Sequence, residues 1–334
     1  MGNRKVPGYN EFIKKVNFHR EEKRRKAVKT KKKKIRIAHF LPIYAMILPG
    51  FLYLIINNYL PMFGIIIAFK RLDFRKGILF SDWAGLDNFK FLFASGNAFR
   101  MIRNTILYNV VFIILGIVMG VTTAILMNEV TSKGALKAYQ TLILIPNLMS
   151  FVIINYLVYA FLAPDTGLVN NSILLKLGKA PISWYTNAKY WPFILTFVNM
   201  WQSIGFTTVI YYSSIIGIST DYYEAATLDG ASKWQQITNI TLPLLKPTII
   251  TLFILSLGRI FGSNFGLFYQ VPRNQGMLYP TTQTIDVFVF NALMNNNDYS
   301  MSSAASVFQS VAGAITLLSA NALIRKVQPE DSLF

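Results

Sequence analysis

The chain has 334 residues, 53% of them hydrophobic and 14% charged, with 33 Lys and Arg against 15 Asp and Glu and a net charge of +18. Average soluble domains carry about 25% charged residues; the shortfall here comes from long stretches with no charge at all, which argues against a globular domain around one core. Cysteine is absent and the histidines are His19 and His39, which leaves out a disulfide framework and a catalytic thiol and argues against a zinc site.

In chain order, residues 1–38 form a basic tail holding 15 of the Lys and Arg against three Glu, with the run Lys31-Lys32-Lys33-Lys34-Ile35-Arg36 at its end. A juxtamembrane cluster of this kind sits on anionic lipid head groups. No aromatic platform or nucleic-acid motif accompanies it, so a nucleic-acid partner is not expected. Five stretches then lack Asp, Glu, Lys, Arg and His: 40–69, 104–128, 138–164, 190–220 and 299–324; a sixth, 247–269, is interrupted only by Arg259. Eighteen or more apolar residues suffice to cross a bilayer as a helix, and backbone in lipid must satisfy itself. The expectation is an all-α membrane protein with six transmembrane helices. In the first stretch Asn57, Asn58 and Pro61 mark the expected exit, and 40–60 is read as a retained helix, not a signal peptide. The tail places the N-terminus inside, and six spans place the C-terminus inside too. Elsewhere Lys and Arg are about equally dense on the two sides, so the orientation rests on the tail. The organisation is a basic cytoplasmic tail (1–38), a six-span domain (39–326) and a cytoplasmic C-terminal tail (327–334).

All 15 acidic residues fall outside these stretches. Proton-driven carriers need titratable groups within the membrane, so proton coupling is not expected. No G-x-S-x-G, H-E-x-x-H or G-x-x-x-x-G-K-[ST] motif occurs. No catalytic residue is assigned, and if ATP powers the system another chain binds it.

The most informative segment is the inner loop 221–247. Asp221 with Glu224 reads as a capping box, and the helix it opens stops at Gly230, suited to the left-handed C-terminal position. Ser232 with Gln235 opens a second short helix through about Ile240, and Pro243 and Pro247 punctuate the return to the membrane. Small residues Ala225 and Ala226 let another surface approach. The loop is either a docking knob for a cytoplasmic partner or a cap on the bundle.

Glu224-Ala225-Ala226, Asp229-Gly230-Ala231, Ile240-Thr241-Leu242-Pro243 and Pro247 resemble the EAA loop of binding-protein-dependent ABC importer permeases. Arg103-Asn104-Thr105, the segment Ala163 to Asn170, the segment Phe265 to Pro272 and Thr284-Ile285-Asp286 are similar to the oligosaccharide and polysaccharide branch of the carbohydrate permeases, distant relatives of the maltose permease. The resemblance covers roughly residues 38–326. It implies the type I importer permease fold, with the loop seated as a coupling helix in a cleft of a dimeric ATPase that holds ATP and Mg. Glu224 would then make a polar contact there, Ala225, Ala226 and Ala231 would permit close packing, and Gly230 the bend. It also implies a second homologous permease and an extracellular sugar-binding protein or lipoprotein. ATP-driven closure of the ATPase would switch the path from inward- to outward-facing.

Sugars are held by aromatic faces and neutral hydrogen-bonding groups. Candidates on the path are Asn147, Ser150 and Asn155 in the third span and Asn199, Trp201, Gln202 and Ser203 in the fourth, each more readily read as helix packing. Arg259 lies 13 residues past Lys246, about 20 Å along a helix, and a charge that deep faces protein or water. It either lines the path, contacting an acidic or hydroxyl-rich sugar, or binds carbonyls to lock the fifth span. Gly116 with Gly120, and the stripe Ser306, Ser310, Ala314, suit close helix packing. The alternatives to an importer subunit are a stand-alone sodium-coupled sugar carrier, holding its ion by carbonyls and hydroxyls, and a membrane-embedded glycan-processing enzyme.

Overall fold

The computed structural model describes residues 37–94 and 96–327, so the basic tail before residue 37 and the residues after 327 lie outside the described residues. Five helices are long and apolar enough to cross a membrane, or six if one pair bent by 95° counts as a single span. The chain divides into two compact units, one ending at Phe63 and one starting at Gly64.

The first unit is helix α1, Ile37–Leu54, continued by a π turn at Ile55–Tyr59 and a short helix at Leu60–Met62. Every side chain from Pro42 to Phe63 is exposed, and a helix that is apolar all round belongs in lipid. The helical path continues through Asn57–Pro61: it changes type there and runs on to Phe69. Pro61 lacks an N–H, and a helix's first turn needs none.

In the second unit, strand β1 (Lys70–Arg71) pairs antiparallel with β2 (Asp82–Trp83), Lys70 opposite Trp83. The Lys70 ammonium donates to the carbonyls of Ile78 and Leu79, which is how a lysine can be buried here. Helix α2 (Asp87–Ala94) leads to α3 (Asn97–Asn128), which packs along α6 (Trp191–Ile216).

Between them the third apolar stretch is two helices, α4 (Lys133–Leu148) and α5 (Phe151–Leu162), meeting at 95°. Pro146 interrupts the last turn of α4, Met149 and Ser150 are extended, and the Ser150 hydroxyl caps α5 by accepting the Ile153 N–H. The stretch expected as a single span is thus not one straight helix. Helix α4 crosses α6 at Gly205, where a Cβ would stand 2.0 Å from the Ile143 carbonyl oxygen. Between helices in lipid there is no hydrophobic gain to exploit, so close backbone approach at small residues supplies the attraction. Gly120 plays a similar part against Thr207 and Tyr211, whereas Gly116 faces open space.

Helix α7 (Thr220–Leu228) precedes α8 (Lys233–Leu257). The fifth apolar stretch is not one helix: α8 stops at Leu257, and a glycine-punctuated turn of 258–264 precedes a π turn at Gly266–Gln270. The segment expected as an outer loop, 270–298, contains helix α9 (Ile285–Met294), whose Ile285, Val287 and Ala292 are buried and which packs against α10 (Tyr299–Val327). Arg103, Asn104 and Thr105 staple this segment to α3. Arg103 and Asn104 donate to the Pro280 carbonyl, Asn104 also donates to the Gln283 carbonyl, and Thr105 accepts the Ile285 N–H.

Candidate functional site

At the inner end, α7 begins two residues earlier than expected. Ser219 is the cap, its hydroxyl accepting the Asp221 N–H at 3.3 Å. Asp221 is therefore not a cap and makes no capping box with Glu224; it sits in the first turn, where its carboxylate complements the positive helix terminus. The other end closes by backbone alone. The Ala231 N–H donates to the Ala226 carbonyl (2.9 Å) and the Gly230 N–H to the Thr227 carbonyl (3.0 Å), with Gly230 at φ +79°. These are the two bonds of a Schellman closure, which needs a left-handed residue at this place.

Ser232 and Gln235 then form a complete capping box. The helix they open does not end near Ile240. A π turn at Ile237–Thr241, closed by Leu242 N–H on the Ile237 carbonyl, carries it past Pro243 and on to Leu257. The loop is thus continuous with a membrane helix of 25 residues, about 37 Å long. Tyr223 meets Thr241 at 3.0 Å, Gln236 donates to Thr227 at 3.0 Å, and Lys233 pairs with Glu129, just beyond α3, at 3.2 Å. Behind the loop lies a cavity of about 570 Å³ lined by Glu129, Tyr223, Glu224 and Gln236 among others.

Glu224, Ala225, Asp229 and Gly230 are exposed, while Ala226 and Ala231 are half-buried. The sequence reading missed the apolar part of this surface: Leu228 is 90% exposed, Trp234 71% and Tyr222 58%. The legible signal was Tyr222, Leu228 and Trp234, large apolar side chains on either side of the turn at Gly230.

Deeper in the membrane, two cavities of about 540 and 590 Å³ share Asn109 and Arg259. The first brings Asn199, Ser203 and Arg259 together with Gly116; the second adds Asn264, Ser306, Gln309 and Ser310. The remaining path candidates lie elsewhere. Trp201 packs on the cluster around Trp191 and Phe268, Asn155 is buried with its side-chain oxygen unpaired, Ser150 serves as a cap, and Asn147 and Gln202 line neither cavity. Ser306 and Ser310, read as a close-packing stripe, line the second cavity, their hydroxyls donating to the Ser302 and Ser306 carbonyls of their own helix.

Asn109 was not foreseen. Its side-chain amide donates to the carbonyls of Ile260 (2.8 Å) and Gly262 (2.6 Å), which α8 leaves without helical partners where it unwinds. Arg259 stands in that same turn. Among the described residues its guanidinium makes no hydrogen bond or ion pair, so it does not lock the span through carbonyls, and it is exposed to both cavities. The nearby carboxylate of Asp286 is occupied by the Ser263 N–H (2.6 Å), the Ser263 hydroxyl (2.7 Å) and the Gln309 amide (3.1 Å).

Residues 113–329 match the family described as the binding-protein-dependent transport system inner membrane component. The chain belongs to this family. It is a multi-pass component of the plasma membrane, and the ATPase of such systems is a separate subunit. It is 32% identical to the polygalacturonan/rhamnogalacturonan transport system permease YteP of Bacillus subtilis, over 94% of this chain and 95% of that protein. It is 30% identical to protein LplB of the same organism, over 86% of this chain and 90% of that protein. Among solved structures, it is similar to a bacterial ABC transporter involved in the import of the acidic polysaccharide alginate, with a TM-score of 0.79, 34% identity and coverage of 87% of this chain and 98% of that one. It is also similar to a bacterial alginate ABC transporter in complex with an alginate pentasaccharide-bound periplasmic protein, with a TM-score of 0.78, 33% identity and coverage of 87% of this chain and 96% of that one.

Proposed function

We propose that this permease carries oligosaccharides or polysaccharide fragments into the cell. An outer binding protein delivers them, and a dimeric ATPase holding ATP and Mg on its own chains drives the step. A second homologous permease completes the path. The observation that supports this best is the mechanical continuity of the inner knob with the cavity. Exposed Leu228 and Trp234 flank Gly230, the helix that starts at Lys233 is unbroken to Leu257, and Arg259 and the cavities lie at its far end. A push on the loop is thereby delivered as a shift of the cavity wall. Glu224, Ala225, Ala226, Asp229, Gly230 and Ala231 supply the docking surface, and Asn199, Ser203 and Arg259 the path.

The test is Gly230→Asp. A Cβ there meets nothing within 4 Å, so the change acts through the left-handed backbone and the new charge at the docking surface. A non-glycine residue in that conformation costs about 1–2 kcal/mol, too little to unfold the protein. The variant should insert and assemble normally and lose substrate-stimulated ATP hydrolysis and uptake. Normal uptake would remove the coupling role from this loop.

A further inference from the structure

We infer that Arg259 is a binding site for the carboxylate of an acidic sugar residue, so that the permease's own cavity selects uronate-bearing saccharides over neutral ones. The inference rests on the transport reading above and adds the charge of the substrate to it.

The first observation is position. Arg259 lies two residues beyond the end of α8, whose preceding residues back to Pro247 form an uninterrupted uncharged run. A cation at membrane depth is retained only where water or a partner compensates it. The second observation is the missing partner. Among the described residues the guanidinium has no ion pair and no hydrogen bond, and neither cavity it faces is lined by an Asp or Glu. Asp286 lines neither cavity and already has three donors.

The third observation is the company Arg259 keeps. Asn199, Asn264, Gln309, Ser306 and Ser310 are neutral and suit sugar hydroxyls. Phe112, Met200, Phe206 and Leu255 line the rest of the first cavity, so neutral donors and acceptors, apolar faces and one fixed positive charge together fit a saccharide that brings its own anion. A guanidinium fork takes a carboxylate through two parallel hydrogen bonds, a geometry lysine cannot reproduce. A neutral oligosaccharide would leave the charge uncompensated when water is displaced from the cavity.

The experiment uses the complete transporter in proteoliposomes, with its binding protein at saturating concentration. Uptake is measured for trimers of galacturonic and mannuronic acid and for the same trimers with their carboxylates reduced to alcohols. Because one binding protein serves all variants, a difference between them belongs to the permease. The expected result is a ratio of acidic to reduced uptake that falls at least tenfold in Arg259→Gln and is partly kept in Arg259→Lys. An unchanged ratio in both variants overturns the inference while leaving the transport reading intact. A parent complex that favours the reduced trimers also overturns it. A parent complex that hydrolyses ATP but imports none of the trimers overturns the saccharide reading, and this inference with it.

Discussion

The turn at Gly230 and the turn after Leu257 both end a helix, and they treat the leftover backbone groups in opposite ways. At Gly230 the carbonyls of Ala226 and Thr227 are taken by N–H groups four residues or fewer from the helix end. After Leu257 the carbonyls of Ile260 and Gly262 are taken by Asn109, 151 and 153 residues earlier in the chain. The inner turn is complete in itself and can move as a piece. The membrane turn exists only while α3 lies beside it, so any sliding of α8 past α3 must break or remake those bonds. The region that receives the push is self-contained, and the region that responds is held from outside.

That contrast predicts where stability resides. The largest loss should come from the membrane-depth fits, and Gly205→Ala is the severest case. Its methyl carbon would stand 2.0 Å from the Ile143 carbonyl oxygen, a backbone atom that cannot rotate aside. Overpacking of this kind costs about 3 kcal/mol or more, and α4 must leave α6 to relieve it. Thermal unfolding of the purified protein in detergent should show a large drop in midpoint, with loss of monodisperse material. A variant that melts with the parent would mean that this crossing yields freely, and the contrast would fail.

Asn109→Leu is the next step down. It keeps the volume and removes both donors, stranding the Ile260 and Gly262 carbonyls at about 1–3 kcal/mol for each group left unpaired. The same unfolding assay should show a clear but smaller loss. If Asn109→Leu is as stable as the parent, the turn after Leu257 holds itself up as the one at Gly230 does.

The same contrast explains which parts were legible in the sequence. Charge-free stretches give the spans because bilayer thickness is a local constraint on the chain. The Ser232–Gln235 box and the left-handed Gly230 are visible for the same reason: their partners sit within a few residues. One local error, Asp221 for Ser219, came from two cap-forming residues two positions apart competing for one helix start. The break at Met149–Ser150 and the unwinding after Leu257 were not legible. Their signals, Pro146 and the scattered glycines 258, 262 and 266, are equally compatible with a kinked continuous helix. What decides is the donor on α3, and Asn109 by itself is merely one polar residue in an apolar run. Arg259 stood out in the sequence as a deep charge, but only its neighbours show that it is unpaired.

The smallest expected effect concerns the one ion pair that joins the inner loop to the end of α3. Lys233 and Glu129 are 3.2 Å apart, with their side chains 72% and 41% exposed. A pair this open to solvent contributes about 0–1 kcal/mol and is screened further by salt. The loop's shape is already fixed by the Schellman closure, the capping box and the Tyr223–Thr241 and Gln236–Thr227 contacts. A double-mutant cycle with Lys233→Ala and Glu129→Ala should therefore give a coupling energy below about 0.5 kcal/mol at low salt, and less still when salt is raised. A coupling well above 1 kcal/mol would place the loop's rigidity in its bond to α3 rather than in its own backbone. The inner turn would then resemble the membrane turn, held from outside, and a push on the knob would have to break an ion pair before it could move α8.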